Sequence, residues 1–376
     1  LTGLLGSPVS HSISPLMHNE AFRLLDLNYV YLCFDVPEAN LADTVKGLRC
    51  MNIAGFNCTM PDKTKICELI DDLSDAARMI GAVNTVVNEN GRLVGHNTDG
   101  IGYMQAVKEA GHDIIGKEMT LLGAGGAATA IAVQAALDGV STLHIFNRKG
   151  RSWERALKLA DTINANTSCK AAVSDLADEA SLRQALEAST ILTNATSLGM
   201  APHADTCPIP DASMLRPELI VSDIIYNPKQ TRLLQMASAN GCATFNGLYM
   251  LLFQGAEAFR LWTGKEMPIG KRVWESPPVP TVSGSSIRFS QEWITPSPGR
   301  SDTPPRFIMK SGSVWCVFTS TGFGYAAVWQ KDCITRSAEK PRHARSFSSS
   351  RVIGPVVSWE PTEVIFGSQY APGRMP

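Results

Sequence analysis

No two of the nine cysteines form a C-x-x-C pair, and no Cys/His cluster has zinc-ligand spacing. Cys33, Cys50, Cys58, Cys67, Cys169, Cys207, Cys242, Cys316 and Cys333 are odd in number and irregular in spacing. That argues against a disulfide framework or a metal site and for reduced thiols in a cytoplasmic protein. Net charge is nearly absent too: at -1, no global field points to nucleic acid or an anionic membrane. Long apolar runs are also lacking. Leu121–Leu137 carries no charge, but its glycines and length fit a strand, turn and helix. Ser311–Gln330 is uncharged but only about half apolar, which argues against a membrane span. No signal peptide is visible, and the chain opens on Leu1 rather than Met, as a trimmed N-terminus would. Finally, the segment 271–376 contains no leucine.

What is present reads as a globular protein. Its 376 residues are 44% hydrophobic and 18% charged, enough for two or three domains. The charge is split: residues 1–270 carry 21 Lys and Arg against 28 Asp and Glu, whereas 271–376 carry 13 against 7. That last segment also holds 12 of the 22 prolines and five of the seven tryptophans. Its composition fits a disordered extension, and equally an out-of-frame or chimeric end. It is expected to be dispensable for folding.

Upstream, strand-like and helix-like segments alternate. Leu1–Leu5 reads as a strand, Leu16–Leu25 as a helix entered through Pro15, Tyr29–Phe34 as a strand and Leu41–Leu48 as a helix. Ile53–Cys58 is a strand, Lys63–Asp71 a helix, and Ala82–Asn88 with Gly91–Val94 a hairpin turning at Asn90–Gly91. Ile101–Ala110 is a helix able to link two domains. A second series follows: strands Met119–Leu122, Thr142–Phe146, Ile191–Asn194 and Leu219–Asp223, with helices Thr129–Leu137, Arg151–Ile163, Leu182–Ala188, Gln230–Asn240 and Gly247–Trp262. The alternation predicts an α/β fold with mainly parallel, doubly wound sheets.

Gly123-Ala-Gly-Gly-Ala-Ala128 fits G-x-G-x-x-A between a strand and a helix. Its glycines permit a tight turn and let backbone N–H groups at the helix start approach a pyrophosphate. The next strand ends in Asn147-Arg-Lys-Gly150, followed by Arg151. An acid there would bond the ribose hydroxyls of NAD; these basic residues suit the 2′-phosphate of NADP, though a solvated basic turn looks the same.

At the other end, Gly6-Ser-Pro-Val-Ser-His-Ser-Ile-Ser-Pro-Leu-Met-His-Asn sets Ser12 and Ser14 before a helix. Their hydroxyls could hold a carboxylate or merely cap. Asn57-Cys-Thr-Met-Pro-Asp-Lys63, Gly81-Ala-Val-Asn84-Thr and Asn97-Thr-Asp99-Gly place amides, a hydroxyl, one Lys and one Asp at strand ends. A Lys beside an Asp can relay a proton while hydride moves. Alone, each is an ordinary surface lysine or turn aspartate.

Taken together, SHSISP, NCTMPDK, GAVNT, NTDG, GAGGA, NATSLGM, IIYNP and GLYMLLFQGA resemble the shikimate dehydrogenase family, and within it the quinate/shikimate dehydrogenase branch, over about residues 1–270. The resemblance implies a substrate domain over 1–100, a Rossmann dinucleotide-binding domain over 101–236, and a helix over 237–270 that returns to the substrate domain. It implies a catalytic pair, Lys63 and Asp99. Ser12 and Ser14 would grip the substrate carboxylate, Thr59, Asn84 and Gln254 would bind ring hydroxyls, and Tyr31 and Tyr226 would stand nearby. Ala124, Gly125, Gly126, Ala127, Asn147, Arg148, Lys149, Gly150, Ser197, Ile224, Ile225, Tyr226, Asn227 and Gly247 would line NAD or NADP. The implied reaction interconverts shikimate and 3-dehydroshikimate, and quinate and 3-dehydroquinate, a step of the shikimate pathway of aromatic amino-acid biosynthesis. A homodimer is an assembly the resemblance allows; no metal, nucleic acid or membrane enters.

Three departures stand out. Gly150 occupies a position where the branch typically has an acid, Ser197 one where it can carry Lys, and the family's short last helix after Trp262–Pro268 is missing from the sequence that follows. A ligand-sensing regulator on the same fold would lose Lys63 or Asp99, and both are present. A dehydrogenase for a folate or aminoacyl substrate would not need Ser12 and Ser14.

Overall fold

The computed structural model describes residues 1–10 and 12–269 in full, and the backbone of residues 306–311, 314–320 and 325–329. The chain divides into two units, Leu1–Ile269 and Gly270–Pro376.

The first unit opens with β1 (Thr2–Gly6), α1 (Ser14–Leu24), β2 (Tyr31–Asp35), α2 (Leu41–Cys50), β3 (Gly55–Cys58), β4 (Asp72–Leu73), α3 (Asp75–Ile80), β5 (Thr85–Glu89) and β6 (Arg92–His96). These strands form one sheet in the order β2-β1-β3-β5-β6-β4. β1 runs parallel to β2 and β3, and β4 to β6, whereas β5 is antiparallel to both β3 and β6. Asn90 and Gly91, both at positive φ, reverse the chain tightly between β5 and β6 and make that pair an antiparallel hairpin.

One expected helix is not there. Over Lys63–Asp71 the chain makes only a 3-10 turn, Lys65–Glu68, and then enters β4. Tertiary pairing wins over local propensity: Asp72 and Leu73 pair with Val94 and Gly95, the Asp71 carboxylate engages Arg49, and the Asp72 carboxylate engages Arg78 and Arg92. Helix α3 follows, capped by Ser74 and closed by Gly81 in the left-handed region.

The second sheet belongs to α4 (Asp99–Glu109), β7 (Glu118–Leu122), α5 (Gly126–Asp138), β8 (Thr142–Asn147), α6 (Trp153–Asn166), β9 (Lys170–Asp175), α7 (Glu179–Ala188), β10 (Ile191–Asn194), β11 (Ile220–Asp223), α8 (Arg232–Ala239), β12 (Thr244–Asn246) and α9 (Leu248–Thr263). Its order is β9-β8-β7-β10-β11-β12, every pair parallel. The winding reverses between β7 and β10, so a crevice opens beyond their carboxyl ends. Met119 and Leu121 of β7 are fully buried on the side of α5, a helix of small side chains buried almost all round, and Leu122 is fully buried on the opposite face with Leu182 and Leu186 of α7. Strands β9 and β12 are edge strands with weak apolar alternation, which is why no pattern announces them.

Helix α9 leaves the second sheet and packs on the first. Trp262 Nε1 donates to the Val86 carbonyl at 3.0 Å, and the Phe259 and Phe22 rings lie 5.0 Å apart. Close approach of α4 and α9 depends on Gly102, where a Cβ would fall 2.6 Å from the Gln254 nitrogen.

In the second unit, β13 (Arg306–Ser311), β14 (Val314–Ser320) and β15 (Tyr325–Trp329) form an antiparallel meander that no pattern in the sequence announces. The rest of the expected extension, and the position of the family's last helix, lie outside the described residues.

Candidate active site

The loops at the carboxyl ends of β3 and β6 bring Lys63 and Asp99 together. Lys63 Nζ donates to Asp99 Oδ2 at 2.6 Å, with the two side chains 27% and 16% exposed. The pair is thus shielded yet reachable, as a proton-relaying pair must be. Asp99 is the first residue of α4, where unpaired N–H groups favour negative charge. Its other oxygen, Oδ1, accepts from Asn84 Nδ2 at 2.9 Å. Asn84 Nδ2 also reaches Thr98 Oγ1 at 2.9 Å and Gln254 Oε1 at 3.4 Å. Asn84 Oδ1 accepts from the Thr98 backbone nitrogen at 2.8 Å, which locks the amide's orientation. Helix α9 thereby delivers Gln254 to a cluster otherwise built from the first hundred residues.

A second strand of the network leads to the α1 entrance. Tyr31 OH donates to Asn57 Oδ1 at 2.7 Å, and Asn57 Nδ2 donates to the Asn84 carbonyl at 3.0 Å and to Thr85 Oγ1 at 2.9 Å. The Tyr31 ring is fully buried; burial pushes its phenol well above the usual range, and the Ser14 hydroxyl beside it opposes that shift. Ser12 Oγ accepts from the Ser14 backbone nitrogen at 3.2 Å. Thr59 begins the loop after β3 and crowds Gly6, its Cγ2 2.4 Å from where a Gly6 Cβ would stand. Beneath Tyr31 the His18 ring stacks at 4.4 Å, with both nitrogens buried and unpartnered. Burial holds it down at about 3, so it is neutral.

Across the molecule, the crevice at the sheet's reversal is a cavity of about 250 Å³. One wall is Gly123, Ala124 and Gly125; another is Asn147, Arg148 and Ser152; a third is Thr196, Ser197 and Leu198. Nothing lies within 4 Å of a Cβ built on Gly125 or Gly126. The N-terminus of α5, at Gly126, has no side-chain cap, so its N–H groups stay available to an anion. Asn147 Nδ2 donates to the Arg148 carbonyl and to Ser152 Oγ, both at 3.0 Å, closing the β8 turn. Lys149 stands 3.8 Å from Asp175 and 6.0 Å from the Trp153 ring. These residues fit a dinucleotide: bare backbone for the pyrophosphate and guanidinium at the ribose end.

Of the residues expected around the cofactor, Ala124, Gly125, Asn147, Arg148 and Ser197 line this cavity. Gly126, Ala127, Lys149 and Gly150 lie beside it, and Ile224, Ile225, Tyr226 and Asn227 stand at the end of β11. Gly247 meets that segment: a Cβ there would fall 1.8 Å from the Ile224 carbonyl oxygen. Sequence reasoning missed Thr196, Leu198, Ser152 and Leu176. For the first two a signal existed, since NATSLGM follows a strand that flanks the reversal. Asn57, Thr85 and Thr98, buried with polar side chains, were also overlooked as a network. Among the described residues no three His, Cys, Asp or Glu side chains gather as for a metal, and no helix is long and apolar enough to cross a membrane.

A doubly wound parallel sheet with a glycine turn at its reversal, and a lysine–aspartate pair at the strand ends of the other sheet, define a dinucleotide-dependent oxidoreductase. Comparison with known proteins narrows this. Residues 4–86 match the shikimate dehydrogenase substrate binding domain, and residues 247–271 the shikimate 5'-dehydrogenase C-terminal domain. The shikimate dehydrogenase (NADP(+)) of Listeria monocytogenes serotype 4b (strain F2365) is 56% identical over 269 residues, 72% of this chain and 92% of that protein. The quinate/shikimate dehydrogenase of Escherichia coli O17:K52:H18 (strain UMN026 / ExPEC) is 45% identical over 72% of this chain and 93% of its own length. The solved shikimate 5-dehydrogenase of Listeria monocytogenes, in complex with shikimate and NAD, superposes with a TM-score of 0.72 at 55% identity, covering 73% of this chain and 94% of that one. The chain belongs to the shikimate dehydrogenase family.

Proposed function

We propose that the chain catalyses the reversible NAD(P)-dependent oxidation of shikimate to 3-dehydroshikimate, and of quinate to 3-dehydroquinate. The observation that carries this is the Lys63–Asp99 contact at 2.6 Å, with Asn84 and Gln254 bonded into the same cluster. Residues 1–100 with the returning helix, 237–270, act as the substrate domain, and 101–236 as the dinucleotide domain.

The nicotinamide ring supplies a hydride acceptor or donor at its C4. In reduction the Lys63 ammonium gives a proton to the developing alkoxide, and in oxidation the Lys63–Asp99 pair takes it from the hydroxyl. Ser12 and Ser14 hold the ring carboxylate, while Thr59, Asn84 and Gln254 orient the hydroxyls. Tyr31 supports Ser14 and Asn57 from beneath. Arg148, Lys149 and Arg151, with no acid at Gly150, support NADP over NAD. The free thiols among the described residues suit a cytoplasmic enzyme.

Steady-state kinetics with shikimate and quinate, each against NAD and NADP, test the reading. Turnover of at least one acid is expected, with NADP favoured by about tenfold, near 1.4 kcal/mol. No turnover of either acid with either cofactor would sink it.

A further inference from the structure

Asp223 closes β11 and is 1% exposed. It does not line the dinucleotide cavity, yet the Thr196–Leu198 wall of that cavity and the segment that follows β11 both hang from it. Its Oδ2 accepts from Asn194 Nδ2 at 3.1 Å and from Thr231 Oγ1 at 2.8 Å, and its Oδ1 from the Ile225 backbone nitrogen at 3.1 Å. Asn194 passes the constraint on. Its Nδ2 also donates to the Leu198 carbonyl at 3.1 Å, while its Oδ1 accepts from the Thr196 nitrogen at 3.0 Å and the Thr196 hydroxyl at 2.7 Å. Thr196 Oγ1 in turn accepts from the Leu198 nitrogen at 3.1 Å. Thr196, Ser197 and Leu198 form one wall of the cavity. On the other branch, Ile225 accepts from Gly247 N at 3.2 Å, at the head of α9.

A buried carboxyl with three donors is expensive to leave half satisfied. An apolar side chain at this place would fill the space without joining the loops. We propose that Asp223 is the positioning residue that sets the Thr196–Leu198 and Ile224–Tyr226 loops against the dinucleotide. This rests on the dinucleotide-dependent reading above. The carboxyl's acceptor-only character is the property used. In Asp223→Asn, one of the two side-chain atoms becomes an NH2 facing the Asn194, Thr231 or Ile225 donors.

The test measures, on the full chain, the Kd for NADPH by its fluorescence together with kcat and both KM values for shikimate oxidation. In Asp223→Asn the NADPH Kd and the NADP KM rise by about tenfold, whereas the shikimate KM and the kcat at saturating NADP move by less than about threefold. A purely structural role would lower the amount of active protein without splitting KM from kcat. Should that variant fail to fold, Thr231→Val, which removes one donor only, shifts the NADPH Kd the same way by about threefold. An NADPH Kd within about twofold of wild type in whichever variant folds overturns the proposal. A wild-type chain that binds NADPH but oxidises neither acid overturns the substrate reading alone, because the two Kd values still decide what Asp223 does.

Discussion

The two sheets solve different problems with different means. The mixed sheet carries a cluster of charged and amide side chains, Lys63, Asp99, Asn84 and Asn57, each held by named hydrogen bonds. The all-parallel sheet offers a cavity walled largely by backbone and small residues, from Gly123, Ala124 and Gly125 to Thr196 and Ser197. On the proposed reading, chemistry on the first side depends on what the side chains are, and binding on the second depends mainly on where the backbone runs. Single substitutions ought to separate the two: side-chain exchanges near Lys63 cost turnover, and backbone crowding near Gly247 costs cofactor affinity.

The largest expected effect is in Asp99→Asn. Losing the carboxylate that holds Lys63 lowers kcat by about 10²–10⁴-fold while the NADPH Kd stays near wild type. A parallel loss of NADPH binding would show that the two regions are not separable. Gly247→Ala forces a Cβ toward the Ile224 carbonyl. The β11 end must move, so the dinucleotide KM rises more than kcat falls and stability drops by about 1–3 kcal/mol; urea denaturation alongside kinetics reads both. Arg148→Ala raises the NADP KM by roughly tenfold, the worth of a charge-assisted contact, and leaves the NAD KM alone. Equal shifts for the two cofactors would remove Arg148 from their discrimination.

A separate effect, on stability rather than on kinetics, depends on pH. His18 is held neutral by burial at about 3, below the 6.5 of an exposed ring. The folded state therefore binds fewer protons than the unfolded one between those values. Its stabilisation is present above pH 6.5 and is lost as pH falls toward about 3, at a slope of about 1.4 kcal/mol per pH unit. His18→Leu flattens that part of the acid limb. Urea titrations at pH 7 and pH 4.5 showing the same loss in wild type and variant would contradict the assignment.

Much of this contrast is legible in the sequence, for reasons that differ between the sides. The Gly123–Ala128 turn stands out because a phosphate-binding turn is contiguous, with strand, glycines and helix all within one stretch. Lys63, Asn84 and Asp99 stand out through compact motifs, but their mutual contacts do not, since 36 residues separate Lys63 from Asp99. Gln254 was reached only through resemblance; the helix that delivers it travels back across the molecule. The lost helix after Lys63 fails for a tertiary reason, because Asp71 and Asp72 find arginines and a β6 partner that no local pattern encodes. Asp223 passed unnoticed because a strand-end acid looks like a turn residue until its three donors are seen.

The most direct measurement is Lys63→Ala in the full chain, with shikimate turnover and NADPH Kd determined on the same preparation. With Lys63 as the proton-relaying group, kcat falls by about 10²–10⁴-fold while the NADPH Kd stays within about twofold of wild type. Near wild-type turnover in that variant would contradict that role.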